Sequence, residues 1–205
     1  MTGRRLGWYL TAGCAVVLVV VCVMLRRRHD YPARHFGVVR EGILYRSAQP
    51  EAEDWPALRD RYGIRTVIDL RGNSPDAAWA VAERNFCAEN GIRLMKLPIG
   101  PDRLTDAELR TIVETVSDPK SQPVLVHCEL GKSRTGVVIA AYRIVAQGWS
   151  CDAVLAEAGR YKDSMSSGYA AYLSELAAGR GWRPEISLDL GLPTRPRHPW
   201  GILQR

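Results

Sequence analysis

The stretch that decides the fold runs Val124-Leu125-Val126-His127-Cys128-Glu129-Leu130-Gly131-Lys132-Ser133-Arg134-Thr135-Gly136. An apolar run from Pro123 to Val126 meets a cysteine, and an arginine follows after five intervening residues. An amphipathic stretch, Val137 to Val145, comes next. That order predicts a strand, a tight loop and a helix. It puts Cys128 on the floor of a loop whose backbone N–H groups converge, with a helix N-terminus behind it. Unpaired amides and the helix dipole both favour an anion there. The same field favours a thiolate, so Cys128 is expected to be nucleophilic near neutrality. Arg134 supplies a planar fork that matches two oxygens of a phosphate. Nucleophile, anion cradle and fork within seven residues describe attack on a phosphorus centre.

Working outward, Gly37 to Arg40 and Ile43 to Arg46, split by Glu41-Gly42, read as a β-hairpin. Ser47 to Pro50 is a turn into a helix, Glu51 to Tyr62. Thr66 to Leu70 is a short buried strand, and Arg71 to Ser74 a turn. A helix runs Pro75 to Asn90, with Pro at its start and Gly91 at its end. Arg93 to Ile99 is a strand, Gly100 to Leu104 a loop, and Thr105 caps a helix to about Val116. Two more helices follow Gly148, Cys151 to Arg160 and Tyr169 to Ala178. Alternating strands and helices predict an α/β domain, a small, mostly parallel central sheet flanked by helices. Ligands bind such sheets at the carboxyl ends of the strands, where Cys128, Arg71 and Asp102 all fall.

His127-Cys128, Arg134-Thr135 and the glycines Gly131 and Gly136 together resemble the signature of the cysteine-dependent protein tyrosine and dual-specificity phosphatases. Ile43 to Pro50 and Tyr62 to Arg71 extend the similarity toward bacterial members and the atypical dual-specificity enzymes of plants and fungi, over about residues 36 to 178. The resemblance implies a phosphocysteine intermediate on Cys128 and phosphoryl binding by Arg134. It implies that the Thr135 hydroxyl stabilises the departing thiolate and that His127 orders the loop. The amides of Glu129, Leu130, Gly131, Lys132, Ser133 and Arg134 then line the phosphate cradle, and neither a metal nor a cofactor is required.

The family also implies an Asp, on a loop before the signature strand, that protonates the leaving group. Asp102 precedes a helix and so can swing; Asp106, just inside the helix start, also has a capping role open to it. Arg71 either touches substrate or pairs with Asp69. Arg46 and Gln49 border the pocket. Lys132 is either a solvated loop lysine or extra charge for a polyphosphorylated ligand, and Glu129 opposes the latter. The expected substrates are phosphotyrosine proteins, with phosphoserine or phosphothreonine possible in the same site, or else phosphoinositides or inositol (pyro)phosphates. Two readings of another class are a rhodanese-like sulfur transferase and a non-catalytic phosphate-binding membrane adaptor. The Arg134-Thr135-Gly136 ending argues against the first, and the intact Cys128 and Arg134 against the second.

The chain has 205 residues and a net charge of +6. Five of those charges lie in residues 1–28, which hold Arg4, Arg5, Arg26, Arg27, Arg28 and no acid, so no nucleic-acid surface is indicated. Gly7 to Leu25 is apolar almost throughout, and at ~1.5 Å per residue it is close to the ~30 Å of a bilayer core. It reads as a single uncleaved anchor, with the slight arginine excess after it placing the catalytic domain in the cytoplasm. The expected organisation is therefore an anchor over 1–28, a linker over 29–35, a phosphatase domain over 36–182 and a Pro- and Arg-containing tail over 183–205. The five cysteines, Cys14, Cys22, Cys87, Cys128 and Cys151, form no disulfide framework. Cys87 reads as buried on the inner face of its helix, with a protective disulfide to Cys128 as the alternative.

Overall fold

Each strand is four residues long, and its alternate side chains feed two separate cores. The computed structural model describes residues 13–22, 32–72, 74–161 and 165–184. A helix over residues 13–22 (α1) comes first. The sheet strands are β1 (Gly37–Arg40), β2 (Leu44–Ser47), β3 (Thr66–Asp69), β4 (Arg93–Lys96) and β5 (Val124–His127). The helices between and after them are α2 (Trp55–Tyr62), α3 (Ala78–Glu89), α4 (Asp106–Ser117), α5 (Ser133–Gln147), α6 (Cys151–Gly159) and α7 (Ser167–Ala177).

The strand order is β1-β2-β5-β3-β4. β1 and β2 are antiparallel; the other three pairings are parallel. The sheet is thus mixed, and β2, β5 and β3 in the middle of its parallel part are buried along their whole length. Tyr45, Val67 and Leu125 pack on one side with Trp55 and Leu58 of α2 and Cys87 of α3. Leu44, Ile68, Val124 and Val126 pack on the other with α4, α5, α6 and α7. A fully buried Val, Leu or Ile contributes roughly 1.5–3 kcal/mol, so these two layers hold the strands in register.

The register puts Ser47, His127, Asp69 and Lys96 side by side at the carboxyl ends of β2, β5, β3 and β4. α4 begins as its sequence demands: the Thr105 hydroxyl accepts from Glu108 N at 3.3 Å, and Glu108 Oε2 accepts from Thr105 N at 2.7 Å. Such a cap contributes about 1 kcal/mol. α5 departs from the amphipathic helix expected: Thr135 to Ile144 are all buried, and the helix starts at Ser133. The reason is its position, between the sheet and α4, α6 and α7. Arg143, buried in that layer, grips Glu157 of α6 through two contacts of 2.6 Å and stacks 4.2 Å over Trp149.

The membrane reading is corrected. Among the described residues no helix is long and apolar enough to cross a membrane. The expected single-pass anchor, and the cytoplasmic orientation derived from it, are not supported by that finding. The described residues 13–22 of α1 are exposed. The flanks of that run (residues 7–12 and 23–25), the linker residues 29–31 and the tail from 185 to 205 lie outside the described residues.

Candidate active site

β5 delivers Cys128 directly into the loop before α5, and the side chain is 2 % exposed. Gly131 is the pivot of that loop, with φ 65°. A Cβ there would lie 2.4 Å from Ala48 N and 2.6 Å from Ser47 O, so nothing larger than glycine fits. Three consecutive loop carbonyls are held from outside: Gln49 N donates to Glu129 O (3.2 Å), His35 Nδ1 to Leu130 O (2.6 Å) and Arg46 Nη2 to Gly131 O (2.7 Å). α5 then starts at Ser133, with the Lys132 carbonyl accepting from Gly136 N.

Arg134, in the first turn of α5, is half-buried. Its Nη1 reaches Leu70 O at 3.5 Å and its Nη2 lies 3.8 Å from Glu129 Oε2. Thr135 is fully buried, and its hydroxyl has no hydrogen-bond partner among the described residues. Leu130 is an exposed apolar side chain on the loop. Lys132 and Ser133 are half-buried at the start of α5. The loop therefore brings together Cys128, Glu129, Leu130, Gly131, Lys132, Ser133, Arg134 and Thr135.

Arg71 is engaged rather than free. Its Nη1 donates to Gln49 Oε1 at 3.1 Å, its guanidinium lies 3.4 Å over the Trp79 ring, and its backbone N donates to Asp69 Oδ1 at 2.8 Å. It meets the cysteine loop one step removed, through Gln49.

The two candidate acids sit against α7. Asp102 is exposed, and its Oδ1 accepts from Gly168 N at 3.0 Å. Asp106 has both oxygens taken, Oδ1 by the Tyr172 hydroxyl (2.8 Å) and Oδ2 by Trp182 N (2.9 Å). A cleft of about 390 Å³ opens between them, and Cys128 is not in its wall. Tyr169 links the two places: its hydroxyl donates to Gly100 O, and burial pushes it up to about 12 while the charges of Arg134, Cys128 and Asp102 all act on it.

Beneath the loop, on the α3 face, lies a charge cluster that sequence reading missed. His127 Nε2 stands 2.7 Å from Glu83 Oε1, a close contact whose direction falls short of a hydrogen bond. Lys96 Nζ donates to Glu83 Oε2 at 2.8 Å and to Asp69 Oδ2. Burial alone would raise the Glu83 carboxyl, but His127 and Lys96 outweigh it and hold it near 2. Asp69, Glu83 and His127 bring their ligand atoms within 4.8 Å of one another, a spacing open to a divalent ion. The Lys96 ammonium already bridges the two carboxylates, so the cluster carries its own cation. Two signals pointed to it: Glu83 at a core position between Ala80 and Cys87, and the period-two spacing of Val67 with Asp69 and Leu125 with His127. Cys87 lies in the α2/α3 core, away from the Cys128 layer, and burial followed by the Glu83 charge pushes its thiol up to about 12.

A buried cysteine closing a parallel strand, a tight loop with three carbonyls held from outside and an arginine in the next helical turn stand together at the N-terminus of α5. Residues 31–176 match the model of the tyrosine phosphatase family, and the chain belongs to that family. It is 37% identical over 118 residues to the dual specificity protein phosphatase TpbA of Pseudomonas aeruginosa, across 57% of this chain and 50% of that protein. The chain therefore spans about half the length of that relative. The crystal structure of TpbA in complex with pTyr superposes with a TM-score of 0.54 at 31% identity, covering 67% of this chain and 85% of that one. The core catalytic domain of the PP-IP phosphatase SIW14 from Saccharomyces cerevisiae, in complex with citrate, gives a TM-score of 0.61 at 26% identity over 69% of this chain and 85% of that one. These two relatives are bacterial and fungal, two of the three groups, with plants, to which the similarity of Ile43 to Pro50 and Tyr62 to Arg71 pointed.

Proposed function

We propose that the chain hydrolyses phosphomonoesters through a phosphocysteine intermediate, with phosphotyrosine proteins as substrates and phosphoserine or phosphothreonine admitted by the same site. The observation that carries this reading is the loop from Cys128 to Arg134, with its carbonyls turned outward around a buried thiol at the N-terminus of α5. The Cys128 thiolate attacks phosphorus; the P–S bond forms as the ester P–O bond breaks. Asp102 gives its proton to the departing oxygen. Water then attacks phosphorus, returns a proton to Asp102, and the P–S bond breaks to release phosphate and the thiolate. Arg134 and the loop amides carry the charge on the phosphoryl oxygens in both steps. The unpartnered Thr135 hydroxyl supports a role as donor to the sulfur anion. Of the two carboxylates, Asp102 is the better acid because Asp106 has both oxygens committed to α7 and Trp182.

We assign this unit to residues 36–182, a range supported by the family match and by the elements from β1 to α7. TpbA bound to pTyr supports the phosphotyrosine reading. A second reading, an inositol pyrophosphate substrate, is favoured by the likeness to SIW14, named an inositol diphosphatase, and by Lys132 at the mouth of α5. The test is turnover of p-nitrophenyl phosphate with acid trapping of the radiolabelled enzyme. Label on Cys128 is expected; an active preparation with unlabelled Cys128 overturns the mechanism. Trapping with Cys128→Ser across phosphopeptides, phosphoinositides and inositol polyphosphates then separates the substrates.

A further inference from the structure

Successive carbonyls in a tight loop do not point the same way unless something holds them. In a trans peptide the N–H of the next residue lies opposite the carbonyl. Holding Glu129 O, Leu130 O and Gly131 O on the outside therefore turns the amides of Leu130, Gly131 and Lys132 inward, toward the place a phosphoryl group occupies. The three donors come from one short region, His35 just before β1, Arg46 in β2 and Gln49 just after it.

Two of them are side chains, and each is itself constrained. Arg46 is 1 % exposed, and its guanidinium carbon sits 3.6 Å over the ring centre of Tyr161 beyond α6. Tyr161 also meets His35 edge-on, with centroids 6.5 Å apart at 82°. The room for that ring exists because residue 37 is glycine: a Cβ there would lie 2.1 Å from the Tyr161 hydroxyl. His35 is the one non-glycine residue with positive φ among the described residues, at 54°. A side-chain-bearing residue adopts that conformation at a cost, and such strain gathers at functional sites. The carbonyl of Leu130 can accept but not donate, so Nδ1 of His35 is the protonated nitrogen.

We propose that His35 and Arg46 are positioning residues that hold the cysteine loop open to phosphate, with Tyr161 as the backing plate for both. This rests on the phosphatase reading above and adds to it a cause for the loop's shape that lies outside the signature. The clamp acts through backbone orientation and not through contact with the substrate.

The test compares His35→Phe, which removes the donor, with His35→Gln, which keeps one, and Arg46→Lys, which keeps the charge but loses the stacked fork. Competitive inhibition by inorganic phosphate and the pH profile of Cys128 alkylation by iodoacetamide are measured on each, with melting temperature alongside. His35→Phe is expected to weaken phosphate about five- to tenfold, the size of one lost hydrogen bond to the loop, and to move the alkylation profile to higher pH. His35→Gln is expected to restore most of both. Arg46→Lys is expected to show the larger loss; should it fail to fold, the His35 pair decides. Wild-type phosphate inhibition and a wild-type alkylation profile in His35→Phe overturn the clamp, as does a fall in melting temperature with both readouts unmoved. If phosphate does not protect Cys128 in the unmodified protein, the phosphatase reading fails, and the clamp with it.

Discussion

Asp102 Oδ1 accepts a hydrogen bond from Gly168 N at 3.0 Å, joining the loop before α4 to the first turn of α7 across sixty-six positions of sequence. The approach is close enough that a Cβ on Gly168 would lie 2.3 Å from Asp102 O and 2.7 Å from its carboxylate. If Asp102 is the general acid, it must leave Gly168 to reach the leaving group. Asp102→Ala is then expected to slow alkyl phosphates about 100-fold and aryl phosphates with good leaving groups far less. Gly168→Ala displaces the same carboxylate and is expected to copy that pattern in part. Equal slowing across a series of leaving-group acidities would show that Asp102 is a tie to α7 and nothing more.

Cys128→Ser is expected to abolish turnover while phosphate still binds, because the amides and Arg134 remain. Arg134→Lys is expected to lose both, since a point charge cannot replace two directed donors. Isothermal titration with phosphate, run beside steady-state kinetics, separates the two outcomes. Undiminished activity in Arg134→Lys would remove the fork from the mechanism.

Gly131→Ala forces a left-handed residue into contact with the Ser47–Ala48 backbone. The expected cost is about 2 kcal/mol of stability or more and at least a tenfold loss in kcat/KM. Chemical denaturation and kinetics on one preparation check both numbers. Gly42, with φ 70° and open space around its Cβ position, serves as the control for conformation without collision.

Acid stability follows the Glu83 cluster. The carboxyl titrates near 2 in the folded protein against 4.5 ordinarily. A depressed acid stabilises the fold above its unfolded value, and that contribution is lost as pH falls through the folded one. Urea midpoints are therefore expected to decline between about pH 4.5 and 2, and Glu83→Gln to flatten that decline. At neutral pH Glu83→Gln is expected to cost about 1–3 kcal/mol, since it leaves His127 and Lys96 under-compensated. A variant with an unchanged acid limb would remove Glu83 from the account.

Glu157→Ala leaves Arg143 buried without its paired carboxylate between α5 and α6. The expected loss is about 3 kcal/mol, read as a fall in melting temperature with little change in KM.

Most of the frame was legible in the sequence because local signals agreed: short apolar runs at β2, β3 and β5 (Ile43 to Tyr45, Val67-Ile68 and Val124 to Val126), Thr105 for the start of α4, Gly63 and Gly148 for helix ends. The cysteine loop was legible because its chemistry is contiguous. What was missed is held together by tertiary contact. His35 read as part of a polar linker, since nothing local says that it reaches a carbonyl ninety-five positions away. Glu83 and Lys96 were not singled out; the burial of Glu83 and the reach of Lys96 to it depend on register with His127 and Asp69. The apolar run from Gly7 was read as a span from composition and length alone, and among the described residues no helix is long and apolar enough to cross a membrane.

The encasement of α5 has one more consequence. Arg134 and Thr135 belong to the same rigid rod that fills the centre of the larger core, so no hinge insulates the chemistry from the scaffold. An oxyanion seated in the loop therefore reports on the whole molecule. At a hundredfold excess over its dissociation constant it adds about 2.7 kcal/mol to the free energy of unfolding, which makes a simple thermal-shift plate a screen for ligands of unknown identity.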